Sequence, residues 1–396
     1  MMSMQISINE TNEIFNALNE INLLSKFSRK VQLHIRSILT AALTKGFRGK
    51  TVDFAQYSNC HRTSLAHFLN AGKWDDNRME TVIHETVINK VYLEAKRSGK
   101  PVYCIIDDTI SSKTKPSSQA KNPMEGASFH MSHLKRKQDY GHQAVAVMLS
   151  CNHITLNYAI LMYDKSASKI ELVRQIAQQL PEPPGIGYLL CDSWYTCNKV
   201  MDSFVQKGFY TIGALKTNRT LYPCGIREKL SSFASRLQVT DAGVHLVTVQ
   251  SRQYYTYRYE GNLNGLDGAV VILSFPTDAF GKPNALRAFL STNAALTTEE
   301  ILHTYVERWP IEVFFRDTKG RLALNGYQIR SAKGIRRYWL LMSLTHLLCC
   351  IGTKDTLPFC KGYSKWNAIL YNEHIKFIYH CGLNHVNLNL LLVDVV

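Results

Sequence analysis

The chain has 396 residues, 45% of them hydrophobic, which excludes a disordered polymer and gives enough apolar material for two or three domains. Lys and Arg number 46 against 31 Asp and Glu, so the formal charge is +15 and a polyanionic partner is expected, nucleic acid ahead of an anionic membrane. The opening MMSMQISINETNEIF lacks the basic start and apolar run of a secretory signal.

Residues 1–98 carry helical signals in NEIFNALNEINLLSKF, VQLHIRSILTAALTKG and METVIHETVINKVYLEAKRSGK, and form the expected N-terminal helical, DNA-binding domain. Between the last two, TVDFAQYSNCHRTSLAHFLNAG divides into a helix over 52–57, a turn at Ser58–Asn59 and a helix over 61–70 that stops near Gly72. Leu65, Phe68 and Leu69 should face inward, and His61, Arg62, Ser64 and His67 outward. This pattern suits a helix-turn-helix, whose second helix can enter a DNA groove, and equally a plain helical hairpin.

From residue 101 the texture changes to short apolar runs. PVYCIIDDT, HQAVAVMLSC and ITLNYAILMY read as strands, followed by the helix SKIELVRQIAQQL, the strand GIGYLLCD, the helix NKVMDSFVQKG and the strand FYTIGAL, a mixed α/β order. Two strands end in acid, one at Asp107 and Asp108, the other at Asp192. A carboxylate at a strand's C-terminal end sits on a rigid element at the rim of a sheet, where a site can be built, although an Asp there also simply opens turns. The intervening segment 111–143 is long, polar and basic, with Lys135, Arg136 and Lys137 near its end. It reads either as a DNA-tracking loop that orders on binding or as a solvated one. His130, His133 and His142 in it lack zinc-ligand spacing. Lys216 and Arg219 follow the last strand of the block and are candidates for phosphate contact.

Over 218–295 the chain turns β-rich, with VHLVTVQ, RQYYTYRYEG, GAVVILSF and ALRAFLST as strands and Asn-Gly and Asp-Gly marking turns. Helical signals resume at a capping box of Thr297 and Glu300. Next comes YVERWPIEVFFRDTK, in which Tyr305, Arg308, Glu312 and Lys319 fall on an arc about 60° wide of one continuous helix. Pro310 interrupts that geometry, because it lacks an amide hydrogen and starts or kinks a helix. Arg308 and Glu312 at i,i+4 also fit an ordinary salt bridge. Beyond it, QIRSAKGIRRYW offers Arg330, Lys333, Arg336 and Arg337 as backbone contacts. The run 338–352 is apolar but broken by Ser343, Thr345 and His346, and reads as a buried helix, leaving 351–396 as a C-terminal segment. The ten cysteines include no CxxC pair, which argues for reduced thiols in a soluble, cytoplasmic protein.

With Glu312, the strand-end acids make three carboxylates from three segments, a donor set suited to hard divalent cations. In these residues the chain resembles the DDE transposases of bacterial insertion sequences, in particular the insertion-sequence-four type and relatives, marked by Y-x2-R-x3-E-x6-K. Tyr305, Arg308, Glu312 and Lys319 match that signature without a gap, and IIDDT, LLCD and RWPIE follow in the family's order. The resemblance implies an RNase H-like core, a mixed five-stranded sheet with flanking helices, formed by 99–217 and 296–350 around the β-rich insertion. It implies two Mg²⁺ or Mn²⁺ ions on Asp108, Asp192 and Glu312, Asp108 being preferred for its following Thr109 and Asp107 remaining the alternative. Arg308 and Lys319 would hold phosphates and Tyr305 would position the terminal nucleotides. The implied partners are double-stranded DNA, as element ends and target, and a second subunit in a homodimeric synaptic complex on the nucleoid. A catalytically silent derivative and a non-transposing nuclease of the same fold are the competing expectations.

Overall fold

A computed structural model describes residues 13–121, 123–132, 135–263, 265–282, 284–351 and 356–387. Asn12, at the head of the first helical signal, His133, and Asn264 of the Asn-Gly turn lie outside the described residues. The elements in chain order are α1 (Glu13–Glu20), α2 (Arg29–Ala42), α3 (Thr51–Ala55), α4 (Arg62–Asn70), α5 (Asp76–Ser98), β1 (Val102–Ser112), β2 (Ser128–Ser132), β3 (Lys137–Cys151), β4 (Ile154–Tyr163), α6 (Lys169–Gln179), β5 (Gly187–Cys191), α7 (Asn198–Val205) and β6 (Phe209–Leu215). There follow β7 (Thr220–Leu221), β8 (Glu228–Lys229), α8 (Leu230–Ser235), β9 (Val244–Val249), β10 (Arg252–Leu263), β11 (Leu266–Pro276), β12 (Arg287–Ser291), α9 (Thr298–Val306), α10 (Pro310–Arg321), α11 (Ala332–Cys350) and α12 (Phe359–Leu383). Contacts divide the chain into a sheet unit, Val87–Lys115 with Gly126–Phe315, and a helical unit built from the flanking segments and Pro116–Glu125.

The sheet unit is mixed α/β. Its strands run β4-β3-β1-β5-β6, with β1, β5 and β6 parallel and β3 antiparallel to both β1 and β4. That order and direction are compatible with an RNase H-like fold. β3 is buried from Gly141 through Cys151, as expected of a strand covered on both faces. Odd positions of β1 (Tyr103, Ile105) and even positions of β5 (Tyr188, Leu190) share one apolar cluster with Ile301, Leu302, Ile311, Phe314 and Phe315 of α9 and α10. The β-rich stretch continues this sheet, because β12 pairs with β6 through Ala288↔Leu215 to Ser291↔Ile212 and hands on to β11 and β10.

The segment 111–143 is more ordered than its polarity suggests. β1 runs on to Ser112, and β2 pairs with the start of β3 from Ser128↔Gly141 to Ser132↔Lys137. His130 is 5% exposed with its Nε2 3.0 Å from the Ser128 hydroxyl, and His142 is fully buried, so both serve the interior.

In the helical unit, α3 and α4 form the expected pair, with Leu65, Phe68 and Leu69 inward and His61, Arg62, Ser64 and His67 exposed. Arg337 explains how α4 is held. Its side chain is 1% exposed and its guanidinium donates to the carbonyl oxygens of Phe68 (3.2 Å), Leu69 (3.3 Å), Gly72 (2.8 Å) and Trp74 (2.7 Å) and to Asp76 (3.0 Å), with its charge over the Trp74 ring. It caps the C-terminal carbonyls of α4, where a cation is favoured, and is enclosed rather than offered to DNA. Replacing Arg337 by Ala should lower stability by on the order of 3 kcal/mol or more, since buried acceptors and Asp76 lose their partner. Arg337→Lys should recover little, and Arg336→Ala, at an exposed position, should stay within about 0.5 kcal/mol. Thermal unfolding of the three variants checks this, and a harmless Arg337→Ala would refute the capping role.

His346 of α11 is 3% exposed, stacked on Phe359 with ring centroids 4.8 Å apart, and burial pushes its imidazole from 6.5 down to about 3. The unfolded chain therefore binds a proton that the folded chain refuses between those values. Stability from this group is complete above about pH 6.5 and lost as pH falls toward 3, by about 2 kcal/mol down to pH 5. Denaturant titrations of wild type and His346→Leu at pH 7 and pH 5 should differ by that increment; identical pH dependence would remove His346 as its source.

Candidate functional site

Neighbouring residues in β1 point to opposite faces, so Asp107 and Asp108 occupy different surroundings. Asp107 continues the Tyr103–Ile105 face toward α10. Its Oδ2 accepts from Arg308 Nη1 at 2.7 Å, and Arg308 Nη2 donates to Glu312 Oε1 at 2.5 Å. One guanidinium thus spans the two carboxylates. Arg308 is 16% exposed, Asp107 20% and Glu312 39%, so the group is sheltered on the sheet side and open at Glu312.

Asp192 follows β5 one step beyond the Ile106↔Cys191 pair, level with Asp107 and in phase with Tyr188 and Leu190. Its Oδ1 accepts from the backbone amides of Trp194 (2.9 Å) and Tyr195 (3.3 Å), which fixes the carboxylate at the strand end. Burial pushes the Asp107 carboxyl up to about 6, Arg308 pulls it back, and Asp192 adds to the rise. For Arg308 burial opposes the charge, but Tyr305, Asp107 and Glu312 outweigh it and hold the guanidinium charged.

α9 ends at Val306 and α10 begins at Pro310, so the signature lies on two helices joined by a turn at Glu307–Trp309 rather than on one. Pro at the first position of α10 is the cause, and Glu312 in that first turn is favoured by the helix N-terminus. Tyr305 packs against Phe289 (centroids 4.7 Å apart) below the Arg308 charge, and burial pushes its phenol up to about 12. Lys319 lies on the part of α10 assigned to the helical unit.

Asp108 faces the other way. Its Oδ2 accepts from Lys169 Nζ (2.7 Å) and the Tyr195 hydroxyl (2.8 Å), and its Oδ1 from the Gln143 amide (2.5 Å). Lys169 Nζ also stands 4.6 Å from the centroid of the Trp194 ring, and Lys216 Nζ 4.8 Å from it. Arg219, after β6, is partly buried, with no hydrogen-bond partner for Nε and Nη2 among the described residues. Lys135 is tied to Asp139 (2.7 Å) and Ser112 (3.0 Å) at the turn between β2 and β3, while Arg136 and Lys137 are exposed there. Lys169, Gln143, Trp194 and Tyr195 were not singled out by sequence. Only Trp194 carried a signal, an aromatic two residues past a strand-end acid.

An all-oxygen donor set gathered around a position already filled by positive charge suits a hard divalent cation chemically. Among the described residues no three His, Cys, Asp or Glu side chains stand close enough as they lie to share an ion, and it is Arg308 that occupies the space between Asp107 and Glu312.

Residues 98–348, more than half of the chain, match the family model of the transposase DDE domain. The chain belongs to that family. No curated protein matches it. Asp107, Asp108, Asp192, Tyr305, Arg308, Glu312 and Lys319 all fall within the matched DDE domain. No helix among the described residues is long and apolar enough to cross a membrane.

Proposed function

We propose that the protein is the transposase of a bacterial insertion sequence of the four type, marked by the Y-x2-R-x3-E-x6-K residues. It binds the element's terminal inverted repeats, cleaves DNA at the ends and joins the freed 3′-hydroxyl groups to target DNA by transesterification. The observation that carries this reading is the convergence of Asp107 and Glu312 on Arg308, level with Asp192, inside a matched DDE domain. We assign the metal-holding set to Asp107, Asp192 and Glu312, with Asp107 in place of Asp108 because Asp107 lies on the face shared with Asp192 and Glu312, whereas Asp108 is turned toward Lys169, Tyr195 and Gln143.

Two Mg²⁺ or Mn²⁺ ions bound there would activate the attacking oxygen and stabilise the leaving one. The chain's own groups do the positioning. Arg308 forks a phosphate of the end once the carboxylates release it, Lys319 supplies a point charge, and Tyr305 offers a ring and a hydroxyl to the terminal nucleotides. Lys216, Arg219, Lys135, Arg136 and Lys137 contact the backbone more distantly, and the exposed side of α4 reads the repeats. Bringing two ends together requires a homodimer in the synaptic complex, and the setting is the bacterial cytoplasm at the nucleoid.

Strand transfer of an oligonucleotide bearing the element's end, taken from the inverted repeats flanking the gene, tests the reading. Asp107→Asn, Asp192→Asn and Glu312→Gln should lose joining by on the order of a thousand-fold. Asp108→Asn, acting through Lys169 and Tyr195, should lose on the order of ten-fold. Mn²⁺ binding followed by electron paramagnetic resonance should weaken with Asp107→Asn and persist with Asp108→Asn. The opposite ranking would return the ligand to Asp108, and joining by Glu312→Gln at the wild-type rate would sink the catalytic assignment.

A further inference from the structure

Trp194, like Trp309, is an exposed tryptophan of the sheet unit, and it is the one flanked by two lysines. It lies two residues beyond Asp192, is 48% exposed, and its own amide is bonded to the Asp192 carboxylate, so the indole is anchored at the base and open at the ring. Two ammonium groups approach that ring, Lys169 Nζ at 4.6 Å from its centroid and Lys216 Nζ at 4.8 Å. Lys169 is in turn held by Asp108 at 2.7 Å, and Asp108 by the Tyr195 hydroxyl, so the cation beside the indole is placed by a network rather than left to solvent. Lys216 is exposed.

A large aromatic kept half in water normally has a polar edge or a ligand to justify it. Here packing does not cover the ring; what surrounds it is positive charge on flexible stems. Cation–π contacts at exposed sites are weak, so the Lys216 ammonium is easily drawn off the ring by a phosphate, while Lys169, 13% exposed and paired with Asp108, keeps its charge beside the ring. A flat π-surface flanked by two cations is the arrangement that holds one unpaired nucleotide, with the base on the ring and the neighbouring phosphates on the lysines. A base still paired within a duplex shows its faces only to its neighbours in the stack, so a ring that stacks selects single-stranded DNA.

We infer that Trp194, Lys169 and Lys216 form a stacking site for one unpaired nucleotide of the DNA strand that passes the carboxylates. Trp194 is a positioning residue: it fixes the strand and takes no part in bond making. The inference rests on the DNA-processing reading above and names the state of the DNA that this edge of the site receives.

The test uses the full-length protein and two fluorescently labelled probes, oligo(dT) of about fifteen nucleotides and a mixed-sequence duplex of the same length. Trp194→Ala should weaken oligo(dT) binding about ten-fold, Trp194→Phe should stay within about three-fold of wild type, and duplex affinity should be unchanged in both. Lys216→Ala should reduce the salt dependence of oligo(dT) binding by about one counterion without changing the preference between probes. Intrinsic fluorescence should be quenched by oligo(dT) in the wild type, with a smaller quench in Trp194→Phe. Unchanged oligo(dT) affinity in Trp194→Ala, or equal losses on both probes, overturns the stacking site while leaving DNA binding intact. A wild-type protein that binds neither probe overturns the functional reading itself, and the stacking site with it.

Discussion

Two acidic side chains, one at the rim of a sheet and one at a helix N-terminus, can be brought together only if something neutralises them, and in this protein that is the guanidinium of Arg308. It reaches Asp107 at 2.7 Å and Glu312 at 2.5 Å from a turn between two helices, and it is itself sheltered by Tyr305 and the sheet. An isolated pair of carboxylates in such a place would repel and would protonate; even with the guanidinium beside it, the Asp107 carboxyl is pushed up to about 6 by burial. The rest of the sheet unit is arranged to permit this contact. β1 delivers Asp107 to the face that α9 and α10 cover, the apolar cluster below fixes the height of those helices, and β5 delivers Asp192 alongside.

The order of strands and helices was legible because its signals are local. Apolar runs of strand length, an Asp at two of their ends, and a Thr-x-x-Glu box before a helical period each state their element without reference to anything distant. The phase of β1 was not legible. Asp107 and Asp108 are both partly buried, both lie in a strand, and differ only in which side they face, which depends on pairing with β5 and on what packs above. The Thr after Asp108 does not report which side either acid faces, whereas the parallel register, Ile105 to Leu190 and Ile106 to Cys191, sets Asp107 level with Asp192. Strand β2 escaped notice for a related reason: SFHMS has no alternation strong enough to announce itself, and exists by pairing along β3.

Charge was similarly informative in sum and uninformative in detail. A surplus of fifteen cations indicates a polyanion, yet individual basic residues divide by environment. Arg337 was grouped with its neighbours as a backbone contact, but the helical period turns it inward where Arg336 points out, and it is spent on the carbonyl ends of α4. Lys135 closes a turn against Asp139, while Lys216 is left exposed beside an indole. What separates these cases is whether an acceptor lies within reach, and acceptors come from folding rather than from the residues adjacent in sequence.

Pro310 makes the same point about spacing. Tyr305, Arg308, Glu312 and Lys319 would share a narrow arc on one continuous helix, and the helix is interrupted between Val306 and Pro310. The contact between Arg308 and Glu312 nevertheless survives, because Trp309, the last residue before α10, still accepts at its carbonyl from the Glu312 amide (3.0 Å) and leaves Arg308 one turn below Glu312. Arg308 is itself held in that turn, its amide donating to the Tyr305 carbonyl at 3.1 Å and its carbonyl accepting from the Ile311 amide at 3.3 Å. A signature whose spacing looks helical can therefore be built on a break, because a bonded turn preserves the i,i+4 contact of Arg308 and Glu312 that a continuous helix would give.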